Sequence, residues 1–451
     1  MATITYDSIR VNGIKFNKIL ALEINHCIDE HSTARIKGEV EASIAKEEAA
    51  RLTDQLFVSI ITTAEEQPQY MFCGVVLNAQ LGYEDVYCIM EVTLISTSYL
   101  LDIARNSRTF QKTGMSYGEM FEQMFGDKAE VEMNVSDTKI GGIVMQYNET
   151  DWEFVRRMAS RFQAGICPDV RARIPRIIVG VPSAQRQISV LNRTGSTILK
   201  SRMNTNDKGS CMVYTGTSYD YAFLGDMFGN EGYIVAVRAE LVDGILKCYY
   251  QYGSHKVFSV PLTLQNTQVS GRMFRGEVKE VKADKVRVYL LDVDEQFASD
   301  SDYWFPYSTA YSSDDGSGFY CMPKEGDIVR IFFPSEKETD AFAASSVNVS
   351  PQENPLYKSW RNENKEILLT PDGIVISCET GKIIISLKEE NGITISSDQN
   401  INITSPRTIK ISSDTTVEIE GQHEILLHTG SSYIDILPDK ISFGGEEMLI
   451  N

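Results

Sequence analysis

Cysteine, histidine and carboxylate side chains are the groups that could do chemistry in this chain, as metal ligands, nucleophiles or acid and base pairs. The eight cysteines are Cys27, Cys73, Cys88, Cys167, Cys211, Cys248, Cys321 and Cys378. They are scattered, with no CxxC pair and no neighbouring histidine to complete a zinc site, and are interpreted as small neutral side chains. The 62 acidic residues are dispersed as well, and no motif marks the carboxylate pair or Cys-His pair of a hydrolase. The sequence therefore predicts no catalytic, cofactor-binding or metal-binding residue.

Length and charge narrow the class of protein. With 451 residues the chain is long enough for about three domains. Its net charge of -19 argues against binding to nucleic acid, because phosphate recognition needs a basic surface. The chain has no apolar run of about 18 residues, and its start, MATITYDSIR, lacks the basic head and apolar stretch of a secretory signal. We therefore expect synthesis and folding in the cytoplasm.

The first 265 residues alternate between strand and helix patterns. Residues 1–100 are rich in alternating apolar and polar positions and predict a β domain. A helical and mixed segment follows over 101–175, with capping boxes at Ser116–Glu119 and Thr150–Glu153 that mark the starts of two helices. Strand patterns return over 176–265 and predict a second β domain.

The helix after Thr150 has an apolar stripe at helical spacing, formed by Trp152, Val155, Met158, Ala159 and Phe162. Arg156, Arg157 and Arg161 are expected on its opposite, solvent-facing side. Core packing explains such a stripe, and a cofactor pocket is the alternative.

A third β unit is predicted over 271–350. Two alternating runs within 277–294 are joined by a polar turn, and Gly326 provides a tight turn before another strand. Short strands and glycine turns over this length are typical of a small closed barrel of the OB type. A polar, proline-bearing stretch then predicts a linker over 351–366.

Residues 367–451 form an internal repeat, which is the strongest signal in the sequence. Ten short apolar triplets occur between Ile367 and Phe443, and a step of eight residues separates Ile393, Ile401, Ile409, Val417 and Ile425. The first and third residues of each triplet are expected to point inward and the middle one outward. A strip of core this narrow cannot offset the ordering entropy of one chain. The repeat therefore predicts three chains wound into an intertwined β-helix or β-prism, with a single-chain β-solenoid as the alternative.

Three features together resemble one family: QYNETDWEFVRRMASRF at 146–162, PKEGDIVRIFF at 323–333, and the eight-residue repeat. In this order they are similar to the VgrG proteins of type VI secretion and the hub-and-spike proteins of contractile phage baseplates, tailocins and injection systems. The resemblance implies a homotrimeric structural protein rather than an enzyme, with two hub barrels per chain, an OB-fold collar and a needle. It also implies contacts with the inner tail tube initiator ring, baseplate proteins, a tape-measure protein, a PAAR-like tip protein and, on firing, the target cell envelope.

Departures from the family pattern refine these expectations. The linker is too short for the lysozyme domain that some phage spikes insert, and His423 and His428 do not form the His-x-His iron site found in others. Nothing follows Asn451 in this sequence, so no fused toxin is expected. Met448, Leu449 and Ile450 are three apolar residues at the end, and we expect them to seat a tip protein, with plugging of the prism as the alternative.

A receptor-binding fibre and a cell-wall hydrolase are the two alternative functions. A trimeric receptor-binding fibre would present exposed aromatic residues, and the best candidates are Tyr303, Trp304, Phe305, Tyr307 and Tyr311. A collar-to-core or partner contact explains this aromatic cluster equally well. A cell-wall hydrolase on the spike would need the carboxylate pair that the sequence lacks.

Overall fold

The computed structural model divides the chain into two units, Met1–Val349 and Ser350–Asn451. It describes residues 3–53, 55–84, 87–183, 186–189, 192–194, 213–259, 263–347, 354–447 and 449. The fold class is mainly β, as predicted, and none of the helices in these ranges is long and apolar enough to span a lipid bilayer.

In chain order the elements of the first unit are β1 (Ile9–Asn12), β2 (Lys18–Cys27), β3 (Thr33–Val40), α1 (Ala45–Arg51), β4 (Phe57–Thr62), β5 (Gln69–Glu84), β6 (Tyr87–Ser96), β7 (Arg105–Phe110), α2 (Tyr117–Phe125), β8 (Glu130–Asn134), β9 (Val144–Thr150), α3 (Asp151–Arg161), β10 (Ile166–Pro168), β11 (Arg176–Gly180), β12 (Gln187–Ile188), β13 (Asn192–Thr194), β14 (Val213–Ser218), β15 (Met227–Phe228), β16 (Gly232–Val242), β17 (Ile245–Gly253), β18 (Arg272–Lys282), β19 (Lys285–Leu290), β20 (Phe305–Ser308), β21 (Ile328–Phe333) and β22 (Phe342–Ser346).

A twelve-stranded sheet joins the two β-rich stretches of the first 265 residues. Its strand order is β1-β4-β5-β6-β3-β2-β16-β17-β14-β13, and β12 and β15 pair at its side. Strands β2 and β16 meet antiparallel, with His26 opposite Val237. Both strands bury alternate residues, as the two-residue period of a strand requires. One hydrophobic core, with Leu22 and Tyr250 among its members, lies under both halves.

The mixed segment folds around the two predicted helices. The Ser116 hydroxyl accepts the Glu119 N–H, and the Thr150 hydroxyl accepts the Glu153 N–H. In each case the glutamate carboxylate accepts the N–H of the cap residue in return. Both capping boxes are therefore confirmed. The two helices pack on a second core together with strands β8 and β11.

Helix α3 corrects one prediction from the apolar stripe. The stripe residues Trp152, Val155, Met158 and Ala159 are buried, but Arg157 is buried too. The prediction for this arginine was wrong, because its guanidinium pairs with the Glu149 carboxylate, 8 residues earlier, and with Glu338, which is 181 residues later in the sequence. Arg156 alone of the three arginines is fully on the exposed side.

Strands β18 to β22 form a closed barrel in the order β18-β19-β20-β22-β21. Its core contains Val278, Val288, Phe305 and Ile331. The predicted turn between β18 and β19 has Ala283 at a positive φ of 52°, and Gly326 has φ 88° before β21. A positive φ strains any residue with a Cβ atom, which explains the glycine at 326.

The second unit contains β23 (Lys358–Asn362), β24 (Lys365–Thr370), β25 (Gly373–Cys378), β26 (Ile383–Lys388), β27 (Gly392–Ser397), β28 (Ile425–Thr429), β29 (Ser432–Leu437) and β30 (Lys440–Gly444). Strands β23 to β27 form an antiparallel meander, and β28 to β30 form a second one. Seven of the ten predicted triplets lie in these strands. The triplets that begin at Ile401, Ile409 and Val417 are not in strands of this single chain.

Candidate assembly surfaces

The second unit has no buried core. Across residues 354–447 every described side chain is half-buried or exposed. Of the predicted needle-core residues, Ile393 exposes 72% of its surface and Ile409 exposes 50%. Ile401 and Val417 are also exposed, and Ile425 is half-buried. A single chain therefore leaves these apolar side chains in water.

Rows of apolar side chains lie on one face of each sheet of this unit, because directly opposed residues of antiparallel strands point the same way. In the larger sheet the rows are Trp360, Ile367, Ile376, Ile385 and Ile395, and Leu369, Ile374, Leu387 and Ile393. In the smaller sheet they are Leu427, Ile434 and Phe443, and Ile425, Ile436 and Ile441. We call these rows together the apolar face. On each sheet such a row of exposed apolar side chains marks a contact site.

The segment between the two sheets finds no backbone partner among the described residues of its own chain. Residues 401–424 are all described; none of them belongs to a strand, and none makes a backbone-to-backbone hydrogen bond with another described residue. Only local side-chain bonds occur there, such as the Ser405 hydroxyl accepting the Arg407 N–H. Strand edges with unpaired N–H and C=O groups are templates for another chain.

The predicted tip contact is only partly described. Leu449 exposes 79% of its surface, whereas Met448 and Ile450 lie outside the described residues. Gly444 ends β30 in front of this terminus.

An arginine at the centre of the first unit connects helix α3 to the barrel. Arg157 donates to both carboxylate oxygens of Glu149 at 2.7 Å and to Glu338 at 2.8 Å. It also donates to the Met145 carbonyl at 2.6 Å, and Arg161 donates to Glu338 at 3.0 Å. Glu338 lies in a short turn between β21 and β22. Sequence reasoning missed this cluster, because no local pattern distinguishes Arg157 from its exposed neighbour.

The aromatic cluster of the barrel does not form a single exposed face. Phe305 is buried in the barrel core, and Tyr303 and Tyr307 pack against that core. The Trp304 ring is covered by two cations, Lys282 and Arg287, each 6.0 Å from the ring centre. Tyr311 is exposed. Phe305, Tyr303 and Tyr307 therefore help to stabilise the barrel itself.

Four of the cysteines are buried: Cys73, Cys88, Cys167 and Cys248. Burial raises the pKa of Cys73 to about 11 and that of Cys248 to about 12. All of the cysteines except Cys211, which lies outside the described residues, are free thiols. Within the part of the chain that the structure describes, no three His, Cys, Asp or Glu side chains come together as metal ligands.

Asp294 joins the barrel to β7. Its carboxylate oxygens accept the Thr109 N–H at 2.6 Å and the Thr109 hydroxyl at 2.7 Å. Burial raises the pKa of this carboxyl to about 6, although the hydrogen bonds from Thr109 oppose the shift. The protonated form is therefore favoured in the folded state relative to the unfolded chain.

Changing Asp294 to asparagine is expected to remove a pH-dependent loss of stability. Since the folded carboxyl has a raised pKa, its stabilisation is present below about pH 4 and is lost as the pH rises through about 6, a change of about 3 kcal/mol. Urea unfolding at pH 4, 5, 6 and 7 would measure the slope, which should be flatter in the variant. Asp292 is the control, because hydrogen bonds from Arg275 lower its pKa. Its contribution to stability therefore changes with pH in the opposite direction. Equal slopes in parent and Asp294→Asn would contradict the assignment.

The comparisons with known proteins agree with this geometry. The phage tail baseplate hub family (GPD) matches residues 38–167, which run from β3 to β10 and include both capping boxes. No curated protein sequence matches the chain. The matched part of the chain is therefore similar to tail baseplate hubs.

Solved structures share the fold over most of the chain. An E. coli component of the type VI secretion system, itself similar to the bacteriophage T4 tail proteins gp27 and gp5, has 14% identity and a TM-score of 0.55 and covers 75% of this chain and 99% of its own. A chain of the Francisella PdpA-VgrG complex in its half-lidded form has 9% identity and a TM-score of 0.53 and covers 86% of this chain and 87% of its own. At such identities the likeness is one of fold. The chain is therefore similar to VgrG-like proteins of the tail hub-and-spike family, which confirms the resemblance in the sequence.

Proposed function

We propose that this chain is the structural hub and needle of a contractile injection machine and acts as a homotrimer without catalytic activity. One observation carries the proposal: the second unit combines the exposed apolar face with a segment, residues 401–424, whose backbone groups are unpaired among the described residues. Exposure of either to water is unfavourable, and both become buried or paired when other copies of the same segment pack against them.

Three copies fit the repeat in particular. In this arrangement residues 367–451 of three chains wind around one axis, and Ile393, Ile401, Ile409, Val417 and Ile425 form the needle core. The eight-residue step provides one short strand for each face of a three-sided prism, and residues 401–424 find their backbone partners on the neighbouring chains. Closed winding also leaves no free strand edge. A rigid rod of this kind transmits force without a chemical step.

The first unit has the hub role in this proposal. Residues 1–100 and 176–265 are two hub barrel domains, 101–175 is the mixed segment between them, 271–350 is the OB-fold collar and 351–366 is the linker. Three chains then present six hub domains to a sixfold inner tail tube ring and enclose the end of a tape-measure protein. The two stretches contribute strands to one twelve-stranded sheet, in which they meet through β2 and β16.

The needle is then the part that is driven into the target cell envelope when the sheath contracts. Met448, Leu449 and Ile450 at its end seat a PAAR-like tip protein. The protein is assembled into the baseplate of a virion, tailocin or injection particle. The exposed side chain of Leu449 supports the tip contact.

The native mass of the full-length protein tests the trimer. We expect three times the chain mass of 50.6 kDa and protection of residues 401–424 from hydrogen exchange. A monomer in which these residues are protected would contradict the proposal. Electron microscopy of the assembled particle tests the hub role, and the expected image is a threefold density at the centre of a sixfold baseplate. A receptor-binding fibre would instead lie at the periphery.

A further inference from the structure

The loop between β20 and β21 forms an ordered lobe with exposed aromatic and acidic side chains. Tyr311, Phe319 and Tyr320 expose 56%, 52% and 73% of their surfaces. The Phe319 N–H donates to the Tyr311 carbonyl at 2.8 Å, and the Tyr320 hydroxyl donates to the Ala283 carbonyl at 3.0 Å. The lobe is thereby held against the β18–β19 turn of its own barrel. We call residues 309–322 the acidic lobe, because they include Asp314 and Asp315.

The Asp315 carboxylate is hydrogen-bonded within the acidic lobe. Hydrogen bonds from Ser317 lower the pKa of Asp315, and the Ser317 N–H lies 2.9 Å from its Oδ1. No cation contacts Asp314 within the described chain. Exposed aromatic residues on an ordered segment with a charged rim are the composition of a protein interface.

A second surface on the same barrel has the complementary character. Met273, Arg275, Arg330 and Phe332 lie together on the outer face of β18 and β21, and we call them the basic patch. Arg275 and Arg330 are directly opposite each other, and Asp292 pairs only with Arg275, at 2.7 Å. Arg330 donates to the Met273 sulfur at 3.7 Å and contacts no carboxylate among the described residues. Adjacent like charges favour an anionic partner.

The barrel topology places the two surfaces on different sides. The acidic lobe follows β20 and is held at the β18–β19 turn, whereas the basic patch centres on β21, whose neighbours are β22 and β18. Neither β19 nor β20 pairs with β21. Since the lobe is fixed to its own barrel, it cannot cover the basic patch of the same chain.

We propose that the acidic lobe of each chain binds the basic patch of the next chain, so that three barrels close into a ring. Two different surfaces on one subunit make a head-to-tail contact, and such contacts form closed rings when the rotation closes. The occupant is a second copy of this chain, because the charges and the apolar residues of the two surfaces complement each other. The inference rests on the trimer of the proposed function and adds the contact between its collars.

Disulfide cross-linking tests this contact directly. The variant carries Tyr320→Cys and Met273→Cys, with the exposed Cys321 changed to serine. Mild oxidation of the full-length trimer should give covalent dimers and trimers on a denaturing gel. The two variants that carry only one of the introduced cysteines should give no cross-links, because a head-to-tail ring keeps identical residues apart.

A charge exchange tests whether Arg330 and Asp314 form an ion pair across the contact. Arg330→Glu should slow cross-linking about 10-fold through like-charge repulsion, and adding Asp314→Arg should restore the rate. Lys128→Glu makes the same change at an exposed residue outside both surfaces and should leave the rate unchanged.

The outcomes separate this inference from the trimer itself. A trimeric native mass without cross-links, or without rescue by Asp314→Arg, would overturn the ring contact and leave the trimer standing. Strong cross-linking through Tyr320→Cys alone would overturn it in favour of a symmetric lobe-to-lobe contact. A monomeric native mass would remove both the trimer and the ring.

Discussion

Replacing Ile409 with aspartate is expected to abolish the trimer. In the proposed needle this residue lies near the threefold axis, where three copies of the change would bring three carboxylates together without a counter-cation. Burying an unpaired charge costs several kcal/mol per chain, and repulsion between the copies adds to it. The native mass of the variant should fall to that of one chain, and residues 401–424 should lose their protection from hydrogen exchange.

Lys410→Asp is the matched control for this substitution. It introduces the same side chain one residue further on, at the middle position of the triplet, which is expected to face solvent. The trimer should persist in this variant. A trimer of Ile409→Asp as heat-stable as the parent would show that the inward assignment is wrong, and loss of the trimer in Lys410→Asp alone would reverse the two faces.

Arg157→Met is expected to destabilise the first unit by about 3–5 kcal/mol, the usual cost of breaking a buried ion pair by removing one partner. Glu149, which is almost fully buried, loses both of its hydrogen bonds to the guanidinium. Glu338 retains Arg161. Urea unfolding followed by tryptophan fluorescence would measure the loss, since Trp152 lies on the same helix as Arg157.

The neighbouring exposed arginine provides the control. Arg156→Met shortens an equivalent side chain on the solvent side of α3 and should change stability by no more than about 0.5 kcal/mol. A loss in Arg157→Met no larger than that in Arg156→Met would contradict a stabilising role for the buried ion pairs.

Elements with strong local signals were predictable from the sequence. The capping boxes at Ser116 and Thr150 depend on residues three positions apart, so the helix starts follow from the local sequence alone. The same holds for the tight turn at Gly326 and for the alternation of the barrel strands. Seven of the predicted apolar triplets also form strands, β24 to β30, because each of these strands pairs with a neighbouring strand of the same chain.

Long-range contacts were not predictable in this way. The burial of Arg157 depends on Glu338, which approaches only when the barrel packs on α3. A helical wheel contains no information about a partner so distant in the chain. The joining of two β-rich stretches through β2 and β16 depends in the same way on a pairing between separate parts of the sequence. The acidic lobe and the basic patch come from different strands of a closed barrel, and their placement follows from strand order.

The sequence by itself determined the β class, the helix starts and the eight-residue repeat, because hydrophobic periodicity and caps act over a few residues. The tertiary structure decided which polar groups are buried, which strands share a sheet and which apolar rows remain exposed. The physical reason is that burial and charge pairing depend on the whole packed chain. Residues 401–424 belong neither to the locally determined features nor to those that the tertiary structure decided. Their apolar positions can be predicted from the sequence, but these positions find no partner among the described residues of a single chain.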